Sequence, residues 1–213
     1  MNANFNLLIG LAMGLNLLAL GSSRLPNLIR AMSAQGVILG AMPVLMEHEL
    51  DWRVCLIALA TIAGKGLIIP SLLRRAMRAA SIDRELEPLI GFVPSLLLGA
   101  GATIAALALT EMLPLLPEHQ GSLLVPGALA TLATGLILMV GRTKAISQVC
   151  GYLILENGIY LFGLLLIESM PLLVEGGVLL DLTVGVFIIG IIVDRIQRTF
   201  DSLDTRKLTA LRE

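Results

Sequence analysis

Charge is scarce in this chain. Only 15% of its 213 residues are Asp, Glu, Lys or Arg, whereas a soluble domain carries about a quarter. The same chain is 56% hydrophobic, with a mean hydropathy of +0.89. A water-soluble fold of this length leaves much of its surface wet and has nowhere to hide so many aliphatic side chains. The deficit of charge therefore excludes an ordinary soluble domain and points to a lipid-embedded one. A formal net charge of −1 gives no electrostatic basis for a nucleic-acid partner.

Cysteine and histidine are equally rare, at two each. Cys55 and Cys150 both lie in apolar stretches, with no CxxC and no Cys/His cluster. That excludes an iron–sulfur or zinc site built by this chain alone and gives no reason to expect a disulfide. Both read as small apolar packing residues. His48 sits among acids in EHELDW. One imidazole in a loop reads as a wet turn rather than a metal site, with Trp52 as an interface anchor. The N-terminal MNANFNLLIGLAMGLNLLALG lacks a basic leader and an A-x-A site, so it reads as a retained first span rather than a secretory signal. Its glycines are not preceded by a strand and do not form a phosphate loop. There is no long linker and no Ser/Pro-rich or repetitive tract.

What is present is a series of apolar runs. A membrane-crossing helix needs roughly 20 mostly apolar residues. Seven stretches meet that test, at 3–21, 27–46, 52–73, 88–110, 122–141, 147–168 and 171–193. The second opens on the more polar RLPNLIRAMSAQ, which allows a shorter or tilted span, while the alternating loop charges support counting it as a full one. The expected fold is an all-α integral membrane bundle of about seven helices. The basic residues follow alternate spans: Arg24 and Arg30; Arg74, Arg75, Arg78 and Arg84; Arg142 and Lys144; then Arg195, Arg198, Arg206, Lys207 and Arg212. The other connections carry Glu47, Glu49 and Asp51, then Glu111 and Glu118, then Glu168, with Arg53 as the exception. The positive-inside rule then places the N-terminus outside and the C-terminus in the cytoplasm. The run RRAMRAASIDRELE, 74–87, reads as an amphipathic cytoplasmic helix. The charged C-terminal tail reads as solvated.

Against this background three ionisable residues lie inside spans: Lys65, Glu156 and Asp181. Each costs about 2.5–3.5 kcal/mol at the bilayer centre, even on the most lenient scale. Along a helix Glu156 lies about 18 Å from Lys144, Asp181 about 20 Å from Asp194 and Lys65 about 14 Å from Arg74. The two acids thus fall at similar depth on consecutive antiparallel spans. In a low dielectric such groups exchange protons nearer neutrality than in water. A row of them bridged by water would pass protons sideways. Asn157, Tyr152 and Thr183 are candidates to orient carboxyls or waters, and the glycines around them, Gly151 and Gly158 among them, permit close helix approach. The competing reading is structural: a protonated acid pinned to a neighbouring helix, with Lys65 snorkelling to the nearer face. Glu175, beside Gly176 and Gly177, reads as interfacial.

Two stretches carry a resemblance. RTKAISQVCGYLILENGIYLFG places an acid, Glu156, in a G-x-x-x-x-E pattern behind a basic loop. LLDLTVGVFIIGIIVDRIQR places Asp181 before an aliphatic run that ends in basic residues. Residues 122–213 thereby resemble the three-span K subunit of proton-pumping NADH:quinone oxidoreductase and the C subunit of multisubunit cation/proton antiporters. That family usually has Glu where Asp181 stands, a departure that keeps the acid but shortens its reach. With residues 1–121 forming four further spans in front of such a module, the chain resembles the E-component family of hydrogenase-4 and formate hydrogenlyase type complexes.

The resemblance implies a non-redox subunit of a complex I-like nickel–iron hydrogenase, not catalytic alone, in a bacterial or archaeal inner membrane. The chain itself would bind no cofactor, the nickel–iron and iron–sulfur centres lying in partner subunits. Its partners would be large antiporter-like membrane subunits, a quinone-module-like anchor subunit, the soluble hydrogenase arm and lipid. It would carry part of a proton or sodium path. A purely structural membrane subunit, a subunit of a cation/proton antiporter or other complex I-like oxidoreductase, and an independent small transporter are the alternatives.

Overall fold

A computed structural model of the protein describes residues 3–46, 52–79, 84, 88–114 and 121–165, together with positions 176, 177, 180, 183–185, 187 and 190. Among these residues all extended regular structure is helical. The helices are α1 (Ala3–Gly21), α2 (Leu25–Met46), α3 (Trp52–Thr61), α4 (Ile69–Ala79), α5 (Phe92–Met112), α6 (Leu124–Gly141) and α7 (Ala145–Leu164). A π-helical segment, Ile62–Ile68, joins α3 to α4 without a break. An isolated antiparallel bridge pairs Arg24 with Arg84.

The all-α expectation holds for these residues. Among them, five helical stretches are long and apolar enough to cross a membrane: Asn4–Gly21, Leu25–Leu45, Val54–Arg78, Phe92–Met112 and Leu124–Gly141. The second is a full span of helix, not a short one. The third runs past the expected end at 73, because Arg74, Arg75 and Arg78 sit on the exposed side of α4 while Leu73, Ala76 and Met77 are buried. The amphipathic character expected of 74–87 thus begins inside the third helix. Helix α7 is long enough to cross, but Ser147, Gln148, Glu156 and Asn157 lower its hydropathy, and it falls outside that group of five. Most of the expected seventh span, 171–193, lies outside the described residues.

Neighbour pairs fix the directions. Asn6 meets Gly121 and Leu123, Asn16 meets Thr131, and Leu20 meets Arg142, so α1 and α6 run parallel. Leu25 and Ile29 of α2 cluster with Ala19 and Leu20 of α1, and Leu39 and Met42 with Phe5 and Ile9, which makes that pair antiparallel. Gly135 lies against Gly151, and Gly158 against Ala128, so α6 and α7 are antiparallel too.

Two apolar clusters form the core. One gathers Ala19, Leu20, Leu25, Leu28, Ile29, Leu73, Val149, Cys150, Leu153 and Ile154 around the C-terminal end of α1. The other gathers Phe5, Ile9, Leu39, Met42, Leu124, Ala128, Tyr160 and Leu161 around its N-terminal end. On α1, α2, α6 and α7 the stretch between the two clusters holds buried polar residues, beside small ones such as Ala12 and Ala130. Of the two cysteines, Cys150 packs as the sequence suggests, whereas Cys55 is exposed on α3 and packs against nothing in the core.

Candidate functional site: a polar layer between two apolar clusters

The residues in the gap are Asn16 on α1, Gln35 on α2, Lys65 in the π segment, Thr131 on α6, and Glu156 and Asn157 on α7. All are buried, with exposures of 0–6%. Burying an amide or hydroxyl without a partner costs a few kcal/mol, so such groups are expected to be bonded. Here Asn16, Gln35, Lys65, Thr131 and Asn157 are bonded to one another. Lys65 Nζ donates to Asn157 Oδ1 at 3.3 Å. Asn157 Nδ2 donates to Gln35 Oε1 at 3.2 Å. Gln35 Nε2 donates to Asn16 Oδ1 at 2.8 Å and to the Ala12 carbonyl at 3.3 Å. Asn16 Nδ2 donates to Thr131 Oγ1 at 2.9 Å, and that hydroxyl donates to the Gly127 carbonyl at 2.7 Å. The hydrogen-bond chain runs across the bundle from α6 through α1, α2 and α7 to the π segment and uses residues from both sides of position 121.

The π segment is what brings Lys65 into this layer. The Ile69 N–H bonds to the Gly64 carbonyl, five residues back, which is the π pattern. The ordinary helical donor to Gly66 O would be position 70, a proline with no N–H, and Ser33 Oγ of α2 donates to that carbonyl at 2.7 Å. Buried irregular backbone is tolerated in a membrane helix where a neighbour supplies such a bond. The α2 backbone comes close here: a Cβ on Gly36 would lie 2.8 Å from Lys65 Cβ. Single π turns within helices concentrate at functional positions. Lys65 Nζ also stands 5.9 Å from the centroid of the Tyr160 ring, within cation–π range. A cavity of about 10 Å³ lined by Met32, Lys65, Ile69, Leu153 and Asn157 adjoins the ammonium, roughly the volume one water needs.

Of the residues singled out in the sequence, Glu156, Asn157 and Lys65 fall in one layer. Tyr152 is partly buried against the apolar cluster at the C-terminal end of α1, away from it. Thr183 is exposed on helical backbone. Asp181 and Glu175 lie outside the described residues. Asn16, Gln35, Thr131 and Tyr160 were not legible as site residues. The signal in the sequence was a lone amide or hydroxyl inside an apolar run, as in GLNLL, SAQGV and ALATL, which a search confined to ionisable groups passes over. The GKG around Lys65 was the trace of the π segment.

Apolar helices enclosing a buried cross-bundle polar chain define a multi-pass helical membrane protein. Comparison with known proteins sharpens this. The chain is 31% identical over 152 residues to hydrogenase-4 component E of Escherichia coli and of Shigella flexneri, covering 70% of this chain and 68% of theirs. The chain belongs to the family that includes hydrogenase-4 component E. It is also 35% identical, over its whole length and 99% of the relative, to an uncharacterized protein of Mycobacterium tuberculosis. No protein-family model and no solved structure matches it.

Proposed function

We propose that this chain is a non-redox membrane subunit of a complex I-like nickel–iron hydrogenase of the hydrogenase-4 or formate hydrogenlyase type, and that it contributes buried ionisable groups to a proton or sodium path. Membership in the family of hydrogenase-4 component E supports the setting. The observation that carries the mechanism is the polar layer. It holds the buried Lys65 and Glu156 and is bounded on both sides by apolar clusters. Apolar clusters along the helix axes disfavour passage straight through the bundle. A layer running across the bundle favours lateral transfer toward neighbouring subunits. Asp181 is the second carboxylate of the proposal, on the strength of its sequence context. The proposed complex crosses the inner membrane with seven spans of this chain, N-terminus outside. Antiporter-like subunits and a quinone-module-like anchor flank it, and the nickel–iron and iron–sulfur centres lie in the soluble arm.

Glu156→Gln in the assembled complex tests this. Glutamine keeps the size of the side chain and removes its ionisable proton. Hydrogen turnover is expected to persist while coupled ion movement, read as the rate at which vesicles build a membrane potential, falls by about a hundredfold, the lower end of the range for loss of a proton-transfer group. Normal coupling with impaired assembly would instead mean that Glu156 only holds helices together.

A further inference from the structure

We propose that Gln35 and Asn16 are positioning residues for Lys65, holding an amide oxygen toward its ammonium through a chain whose sense is fixed at the far end. The argument begins at two backbone carbonyls, which can only accept. Ala12 O faces Gln35, so the nitrogen of that side chain must point to α1. Its oxygen Oε1 is then turned toward α7, where it can meet only a donor. Asn157 must therefore present Nδ2 to Gln35 and Oδ1 to the opposite side, which is where Lys65 lies. Gly127 O accepts the Thr131 proton, which leaves that hydroxyl as an acceptor for Asn16 Nδ2 and turns Asn16 Oδ1 toward Gln35. Both anchors give the same answer. All three amides point their oxygens toward Lys65 and their nitrogens away from it.

Hydrogen bonds aligned in this way polarise one another. The result is a row of dipoles whose negative ends face a group that, as an ammonium, has three donors and no acceptor. Amides do not gain or lose protons near neutrality, so this row is not itself a proton wire. It is a fixed support that presents an acceptor to the one cationic side chain in the layer. The consequence for ion movement holds only if Lys65 lies on the ion path, whereas the orientation of the amides does not depend on it.

The chain has three lysines, Lys65, Lys144 and Lys207, so 15N labelling of lysine side chains gives three signals, assigned with Lys144→Arg and Lys207→Arg. In the full-length chain in lipid bilayers, Gln35→Met is expected to shift the Lys65 15Nζ resonance through the Asn157 amide that links the two. Asn16→Ala, three hydrogen bonds from Lys65, is expected to shift it less but in the same direction, and it serves alone if Gln35→Met does not accumulate. Thr103→Ala on α5, outside the layer, is expected to leave it in place. A Lys65 signal that stays put in the layer variants that accumulate would overturn the proposal. A shifted signal with unchanged ion coupling in the complex would leave the positioning chain standing and remove Lys65 from the ion path.

Discussion

Replacing Gly135 with valine is expected to unfold or trap the α6–α7 pair, the largest loss predicted for any small substitution in this protein. In lipid no hydrophobic force draws helices together, so association depends on close packing of small residues. Here the approach is backbone on backbone. A Cβ on Gly135 would lie 2.5 Å from the Leu155 nitrogen and 2.7 Å from the Gly151 carbonyl oxygen. On Gly151 it would lie 2.9 Å from the Met139 nitrogen, and on Gly158 2.7 Å from the Leu132 nitrogen. A side chain can rotate away from a clash, but a helix backbone moves only as a unit. Overpacking costs typically about 1–3 kcal/mol where side chains can yield. At Gly135→Val about 3 kcal/mol or more is expected, roughly a hundredfold in the folded fraction. Thermal unfolding of the full chain in nanodiscs measures it. Gly10→Val, at a position with nothing within 4 Å of a Cβ, is the comparison expected to be near neutral. Equal melting temperatures for the two variants would refute the backbone contact.

The second large effect is expected at Arg142. Counting charges in loops treats this residue as one of the basic markers after the fifth span. In the structure it is 1% exposed and among the largest fully buried side chains. Its guanidinium donates from Nη2 to Leu20 O at 2.7 Å and from Nη1 to Ile90 O at 2.8 Å, with Ser95 Oγ at 3.4 Å. Leu20 is in the last turn of α1, whose carbonyls have no partner within the helix and attract a cation. The Phe92 ring centroid lies 4.5 Å from the guanidinium carbon. One side chain thus closes the end of α1, the approach to α5 and the end of α6. Arginine can do this because its fork of donors is rigid and weakly hydrated. Arg142→Met removes the donor from the Leu20 carbonyl and the shorter of two donors from the part-buried Ile90 carbonyl, where a buried carbonyl left unmet costs about 1–3 kcal/mol. A total near 3 kcal/mol is expected, seen as loss of heat resistance and as protease cleavage after Ile90. Arg142→Lys, with one compact ammonium, is expected to recover only part. Arg74→Met, on the exposed side of α4, is expected to stay within about 0.5 kcal/mol of the parent. Were Arg142→Met to match Arg74→Met, the burial of this guanidinium would carry no stabilising role.

Arg142 and Gly135 also mark where reading the sequence stops. Spans such as α1 and α5 are apolar on almost every side, because lipid and protein interior both accept aliphatic residues. No polar face tells which glycine meets a neighbour. Gly151 and Gly158 were legible as points of close approach from the residues around Glu156, while Gly135 looked like any other glycine in a span. A basic residue next to an apolar run has one appearance in sequence whether it faces water or fills a helix junction.

By itself the sequence determined the class of the protein: too little charge for water, apolar runs of membrane length, helix throughout the described residues, and the first span at 3–21. It also singled out Lys65 and Glu156, because an ionisable group in an apolar run is costly wherever the helix turns. Tertiary structure alone decided what those groups meet. Asn16 bonds Thr131 across 115 positions of chain, and Asn157 bonds Gln35 across 122. No local spacing encodes such pairs. They form because parallel and antiparallel helices bring single amides to one depth, where the only alternative to bonding each other is to stay unbonded in an apolar medium.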